Sequence, residues 1–327
     1  MIDFTGAMDV VSGDGWRLAQ GDCVTVTQGM PADSVDFTIY SPPFASLYTF
    51  SDDPRDMSNC RDDATFWTHY EFLIKECYRI TKPGRLVSVH CMPLPTSKLR
   101  DGFIGVRDFP GEIIRRHEAA GFYFHSEVVI RKDPVAAMQR TKALGLLHKQ
   151  MAKDSTLSRM ALADYIVTMR KPGDNAAPVA GEFDAYHGSE APPDGALAME
   201  DNWNGRQMLK PGDDRYSIAV WQRYAEPVWM DIAQGDVLSN AEAREQADER
   251  HIAPLQLTVI RRCVDLWTNP GDVVFSPFAG IGSEGYVALQ MGRRFLGIEL
   301  KRSYWEQARR NLVAANSQPA LPLGVAQ

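Results

Sequence analysis

At 327 residues and 44% hydrophobic content, the chain is long enough for one large or two modest globular domains with a real core. Its formal charge of -7, from 35 basic and 42 acidic residues, excludes a surface coated in basic residues, although nucleic acid needs only a local patch. The five cysteines, Cys23, Cys60, Cys77, Cys91 and Cys263, are odd in number and form no CxxC, so neither a disulfide framework nor a zinc site is indicated and reduced thiols are expected. No run approaches the roughly 18 apolar residues of a membrane span, and Met1-Ile2-Asp3-Phe4-Thr5 lacks the basic start and apolar stretch of a signal peptide. A cytoplasmic protein without membrane or metal is the expectation.

Residues 1–15 carry Gly6, Gly13 and Gly15 with little periodicity and read as an arm or a hairpin. Trp16 to Asp22 reads as a strand ending in Gly-Asp, and Pro31-Ala32-Asp33-Ser34 as a turn into the apolar strand Val35–Tyr40. That strand opens onto Ser41-Pro42-Pro43-Phe44. Two prolines there remove two N–H donors and fix φ twice, so the carbonyls point outward with no ladder partner. Such a rigid row of acceptors suits an amine. The polar stretch that follows, to Asp63, reads as a loop beside this mouth, and its Tyr48 and Phe50 either contact what binds there or plug the loop onto the core.

Phe66, Tyr70, Leu73, Ile74 and Cys77 fall at helical spacing, and Lys82-Pro83-Gly84 stops that helix. Arg85–His90 is the next strand. His90 and Cys91 at its end raise nucleophile or metal chemistry, but a satisfied buried histidine is the better reading. Phe109-Pro110-Gly111-Glu112 starts a helix that Gly121 ends, and Phe122–Ile130 and Ala163–Met169 read as strands. Between those two strands, Arg131, Lys132, Arg140, Lys142, Lys149, Lys153 and Arg159 stand against only Asp133 and Asp154. The patch reads either as a phosphate-binding surface or as a solvated helix face. Residues 171–213, rich in Pro, Gly, Asp and Ala, read as a long loop or insertion rather than core, and Tyr216–Tyr224 with Trp229 as an aromatic, half-apolar segment.

Leu255–Trp267 reads as a helix ended by Asn269-Pro270-Gly271-Asp272. An apolar strand, Val273–Ser276, then runs into Pro277-Phe278-Ala279-Gly280-Ile281-Gly282, an amphipathic segment covers Ser283–Met291, and a second apolar strand stops at Glu299. This is the layout of half a dinucleotide-type fold, which holds an adenosine. The glycines let backbone approach a ligand, and Glu299 falls where such folds place a carboxylate on ribose hydroxyls. An ordinary buried strand-turn-helix is the alternative. Ser303–Leu312 is a helix, and Gln318 onward a frayed tail.

With both stretches present, the chain resembles the amino DNA methyltransferases, whose catalytic motif is Asp/Asn/Ser-Pro-Pro followed by an aromatic residue and whose cofactor loop is Asp-Pro-Phe-x-Gly-x-Gly-like. The catalytic motif comes first here, the order of the beta class of prokaryotic and phage modification methylases. The resemblance covers about residues 15–132 and 249–312. It implies an α/β, Rossmann-like methyltransferase fold: a mostly parallel twisted sheet with helices on both faces and circularly permuted motif order. Residues 1–132 would be the catalytic half, 133–248 an inserted target-recognition region with a sheet strand near 163–169, 249–316 the cofactor half and 317–327 a tail.

The resemblance also assigns roles. Ser41, Pro42, Pro43 and Phe44 would be catalytic. Asp22, His251, Pro254, Ser276, Pro277, Phe278, Ala279, Gly280, Gly282, Ser283 and Glu299 would hold S-adenosyl-L-methionine, and the seven basic residues between 131 and 159 would contact double-stranded DNA. Asp22 is otherwise a turn residue, and His251 otherwise a helix N-terminal one. The reaction implied is in-line attack of the exocyclic amine of a flipped base on the cofactor's methyl group, with no metal. Within the family, Ser at the first motif position accompanies cytosine N4 and Asp or Asn accompanies adenine N6, so cytosine is favoured over adenine. Ser276 departs from the usual Asp, which weakens the expected contact to the cofactor's amino group. Homodimers occur among beta-class relatives, an analogy only. The rival readings are a catalytically idle DNA-binding or regulatory module, and a methyltransferase for RNA or a small molecule.

Overall fold

All six residues of Val35–Tyr40 are buried, the pattern of a strand covered on both faces. This strand sits at the centre of the sheet in the computed structural model, which describes residues 2, 4–44, 53–60, 62–96, 98–141, 146–158, 160–188, 197–201, 205–239 and 255–317. In chain order the strands are β1 (Asp9–Gly13), β2 (Trp16–Gln20), β3 (Val35–Tyr40), β4 (Thr81–Cys91), β5 (Leu94–Pro95), β6 (Val106–Arg107), β7 (Tyr123–Ile130), β8 (Asp164–Arg170), β9 (Leu197–Asp201), β10 (Gly205–Leu209), β11 (Val228–Trp229), β12 (Val273–Ser276) and β13 (Arg294–Glu299). The helices are α1 (Cys23–Gln28), α2 (Asp63–Ile80), α3 (Lys98–Asp101), α4 (Phe109–Ala119), α5 (Pro134–Thr141), α6 (His148–Lys153), α7 (Tyr216–Tyr224), α8 (Leu257–Trp267), α9 (Ser283–Gln290) and α10 (Arg302–Ser317).

Among the described residues one nine-stranded sheet runs β1-β2-β13-β12-β3-β4-β8-β7-β11. From β2 to β4 every pairing is parallel. Strand β8 lies antiparallel between β4 and β7, and β1 closes the other edge as an antiparallel hairpin with β2. The hairpin resolves the two readings left open for the first fifteen residues. Each face of the sheet carries its own apolar layer. Val87, Val89 and Phe275 pack with Leu73, Ile74 and Ile113 of α2 and α4, while Leu86 and Val274 pack with Ile260, Val287 and Leu312 of α8, α9 and α10. That separation of successive residues is the period-2 alternation of strands, and it yields the expected helices on both faces.

Two local expectations change. Helix α2 ends at Ile80, and β4 begins at once with Thr81, so Lys82-Pro83-Gly84 belongs to the strand rather than to a separate turn. Gly84 makes this geometry accessible, with φ of 74° and the Asn175 backbone nitrogen 2.6 Å from where a Cβ would sit. The stretch 171–213, expected to be a long loop or insertion rather than core, contains the antiparallel hairpin β9–β10. Leu197 and Leu209 of that hairpin bury against Tyr216, Ala219, Val220 and Tyr224 of α7. A few apolar side chains meeting one helix form a small satellite core without enough residues to create a periodic signal. Tyr48, Phe50 and the segment from Gln318 lie outside the described residues. No helix among the described residues is long and apolar enough to cross a membrane.

Candidate active site

Strands β3 and β12 are sheet neighbours, with Val274 opposite Phe37 and Phe275 opposite Thr38. From β12 the chain continues through α9 to β13, and from β3 through α2 to β4 on the opposite side of the pair. The sheet order therefore reverses between them, and open α/β sheets place ligands at the carboxyl ends of strands at such a point. A cleft opens there. Ser41, Pro42, Pro43 and Phe44 form one wall, and Pro277, Phe278, Ala279, Gly280 and Ile281 the other. The Tyr40 and Phe278 rings, at 5.7 Å between centroids, join the two walls.

On the second wall the backbone turns through Gly280 and Gly282, at φ of 54° and 86°, a region that favours glycine. Ala279 N–H donates to the Ile298 carbonyl at 2.8 Å. Gly280 N–H donates to Glu299 Oε2 at 2.8 Å, and Lys301 N–H to Glu299 Oε1 at 2.9 Å. Each carboxylate oxygen thus takes one backbone donor and keeps acceptor capacity toward the cleft. Burial pushes the Glu299 carboxyl up to about 7, against the opposing pull of those two N–H groups. Burial likewise pushes neighbouring Glu284 up to about 8. The Ser283 hydroxyl is buried against the cleft and has no hydrogen-bond partner among the described residues, a group that a polar ligand would satisfy.

Asp22 also reaches the cleft, because Gly21 N–H donates to the Glu299 carbonyl at 3.0 Å and draws the end of β2 alongside β13. It caps α1: Asp22 Oδ2 accepts from Thr25 N at 2.8 Å and from Thr25 Oγ1 at 2.7 Å. The turn role is therefore present in the structure, and the cleft position accompanies it.

On the first wall, Ser41 Oγ lies 2.8 Å from His90 Nδ1 at the carboxyl end of adjacent β4. His90 Nε2 stands 3.2 Å from Asp164 Oδ2, and Lys132 Nζ stands 2.6 Å from Asp164 Oδ1. Burial alone would raise the Asp164 carboxyl, but the His90 imidazole and the Lys132 ammonium outweigh it and hold the group below its ordinary value. His90 is buried as expected, but it is satisfied at Nδ1 only: Nε2 makes no hydrogen bond among the described residues. Its partner is the motif serine.

Of the other expected site residues, Ser276 is fully buried beneath the cleft, and its hydroxyl lacks a partner among the described residues. Gly282 begins α9 and packs on Ala308 of α10. His251, Pro254, Lys142, Arg159 and the side chain of Arg140 lie outside the described residues. Arg131 is exposed, 3.9 Å from Asp133, and Lys149 and Lys153 are exposed on α6. Lys132 turns inward to Asp164, away from the solvent face on which the basic run places it. The cleft also meets Leu255, which follows Pro254 at the end of the segment expected beside the cofactor, and Arg55, Asp56, Met57, Lys301 and Tyr304, none singled out in the sequence. Lys301 and Tyr304 closely follow Glu299, a spacing that was available as a signal; Arg55 to Met57 belong to the polar stretch read as a loop beside the motif, and that adjacency was their signal.

The family model described as DNA methylase, N6/N4 methyltransferase, matches residues 35–310. DNA adenine methyltransferase YhdJ of Escherichia coli K12 is 32% identical over 123 residues, which is 36% of this chain and 42% of that protein. Type II methyltransferase M2.DpnII of Streptococcus pneumoniae is 40% identical over 58 residues, 18% of this chain and 22% of that one. The chain thus spans less than half the length of these curated relatives. Among solved structures, TTHA0409 of Thermus thermophilus, a candidate DNA modification methylase complexed with S-adenosyl-L-methionine, superposes with a TM-score of 0.59 at 20% identity, covering 91% of this chain and 95% of that one. PvuII DNA methyltransferase (cytosine-N4-specific) gives 0.55 at 14% identity, over 91% and 86%. These two likenesses are of fold. With the family model running from β3 into α10, this chain belongs to the DNA methylase family of N6/N4 methyltransferases.

Proposed function

We propose that the chain transfers a methyl group from S-adenosyl-L-methionine to the exocyclic amine of a base in double-stranded DNA, with N4 of cytosine as the favoured acceptor. The observation that carries this reading is the shared cleft with the Ser41-Pro42-Pro43-Phe44 mouth on one wall and the Gly280–Glu299 pair on the other.

The residues present fit the cofactor. Glu299 retains acceptors for ribose hydroxyls, the Ser283 hydroxyl awaits a partner, and a Cβ at Gly280 would meet nothing within 4 Å, so its backbone is open to a ligand. Bound there, S-adenosyl-L-methionine would supply an electrophilic methyl group and keep the electron pair of the broken C–S bond on sulfur, and the methylated amine would then give up its extra proton to water. The Ser41 hydroxyl and the Pro42 carbonyl accept the two N–H groups of the amine, favouring a pyramidal nitrogen whose lone pair is no longer spread into the ring. Their contribution is polar groups fixed in position before reaction. Phe44 stacks on the base once it has left the helix, while its other side meets Phe109 at 6.0 Å between centroids. Residues 133–248 read the target, and exposed basic residues such as Lys149 meet phosphates.

Adenine N6 is the second reading, favoured by the likeness to YhdJ, described as a DNA adenine methyltransferase. A serine hydroxyl accepts from either amine, so Ser41 weights the choice without closing it. Incubation with duplex DNA and radiolabelled S-adenosyl-L-methionine, then digestion to nucleosides and mass measurement, decides. N4-methylcytosine is expected. N6-methyladenine alone overturns the choice of base, and no transfer to any DNA overturns the reading.

A further inference from the structure

Ser41 serves the proposed reaction only as an acceptor toward the amine, yet a serine hydroxyl is a rotor that donates as readily as it accepts. We propose that His90, Asp164 and Lys132 form a positioning chain that fixes the Ser41 hydroxyl proton away from the cleft and leaves its oxygen lone pairs for the substrate amine. The proposal rests on the methyl-transfer reading and adds three residues to it.

The geometry selects one tautomer. With its proton on Nε2, His90 turns the positive N–H edge of its ring toward the Asp164 carboxylate, 3.2 Å away but outside hydrogen-bond alignment, and presents the bare Nδ1 to Ser41. Ser41 Oγ–H then donates to Nδ1 at 2.8 Å, and the oxygen keeps both lone pairs. With the proton on Nδ1, two contacts turn unfavourable. The Nε2 lone pair would face a carboxylate, and Ser41 would receive a bond from His90 and be left to donate to the His90 carbonyl at 3.4 Å, a long approach for an O–H donor. A carboxylate beside one imidazole nitrogen favours the proton there and so leaves the other nitrogen bare, and Asp164 supplies that charge from the start of β8, pairing beside β4.

Asp164 is itself 2% exposed, and an isolated carboxylate at that depth is strongly disfavoured. Lys132, at 2.6 Å from its other oxygen, compensates the charge. Lys132 is two residues past the end of β7 and opens the segment leading to α5. The chain therefore links the acceptor oxygen in the cleft to the base of the inserted region. Its order resembles a nucleophile–imidazole–carboxylate relay, but methyl transfer to an amine needs no nucleophilic serine, so orientation is the role left to it.

Two measurements on the full chain test this. Long-range nitrogen–proton NMR of histidine-labelled protein is expected to show His90 with an unprotonated Nδ1 and a protonated Nε2. In Asp164→Asn, whose amide can donate to Nε2, the tautomer is expected to flip. A protonated Nδ1 in the wild type, alone or with Nε2, overturns the proposal. In the methylation assay, His90→Leu is expected to lower kcat about 10²-fold with an unchanged KM for S-adenosyl-L-methionine, and His90→Asn, which places an amide oxygen near the position of Nδ1, to recover most of the loss. Wild-type kcat in His90→Leu overturns it, as does an Asn variant that folds yet is no better than the Leu one. If the wild type methylates no DNA, the functional reading falls alone, because the tautomer spectrum still decides the positioning claim.

Discussion

Asp36, at the base of β3, accepts the backbone N–H of Val273 at 2.9 Å and so fastens the start of one central strand to the start of the other. Its second oxygen takes Lys82 Nζ at 2.7 Å and lies 3.4 Å from Arg85, whose other arm reaches Asp272 at 3.0 Å. Arg85 is almost wholly buried. The motifs meet at the top of the sheet because this cluster aligns the strands at its foot.

Removing that carboxylate leaves a buried guanidinium with less compensation and an orphaned strand N–H. Asp36→Ala is expected to destabilise the fold by about 3 kcal/mol, and Asp36→Asn by less, since its amide oxygen still accepts from Val273. Urea unfolding monitored by circular dichroism checks the order; equal stabilities for Ala, Asn and wild type would refute it.

Glu299 sets a pH dependence. In the proposed cofactor contact its carboxyl, raised to about 7 by burial, would have to be ionised to accept fully from ribose hydroxyls, so affinity for S-adenosyl-L-methionine is expected to fall by up to about tenfold per pH unit below 7. In the unliganded protein the sign is opposite: the protonated form is preferred on folding, so this contribution to stability is present below the ordinary value of 4.5 and lost as pH rises through about 7. Calorimetric titrations across this range are expected to flatten, and weaken, in Glu299→Gln.

The two loop glycines are expected to differ. Alanine at Gly280 meets no atom within 4 Å and carries only the left-handed backbone penalty of about 1–2 kcal/mol. Alanine at Gly282 carries that penalty and also puts its Cβ 3.2 Å from Cα and Cβ of Ala308. Thermal melts should show the larger drop for Gly282→Ala, while Gly280→Ala should appear mainly as weaker cofactor binding.

The proposed phosphate contacts and the inward-facing charge of Lys132 would separate by salt. Lys149→Gln and Lys153→Gln are each expected to reduce the slope of log K against log salt for duplex DNA by about 1. Lys132→Gln should leave the slope unchanged, because its ammonium is held by Asp164. Fluorescence anisotropy over a salt series gives the three slopes.

What the sequence displayed followed from burial. Strands β3, β12 and β13, covered on both faces, are largely apolar runs bounded by turn residues, and the helical face of α2 repeats at Phe66, Tyr70, Leu73 and Cys77. Pairings between distant polar residues left no local trace. Asp36 is one acid in an apolar strand, and His90 gains its meaning from Ser41 and Asp164, each on a different segment. The hairpin β9–β10 buries too few apolar side chains to produce a period.

Because β3 meets β12 at the middle of the sheet, a ribosome must release the chain past Ser276 before the central seam can close. Until then β3 presents an unpaired, largely apolar edge, the kind of surface on which nascent chains associate wrongly. Truncation before Val273 would therefore produce a protein with an open wound along its middle, rather than a smaller stable domain.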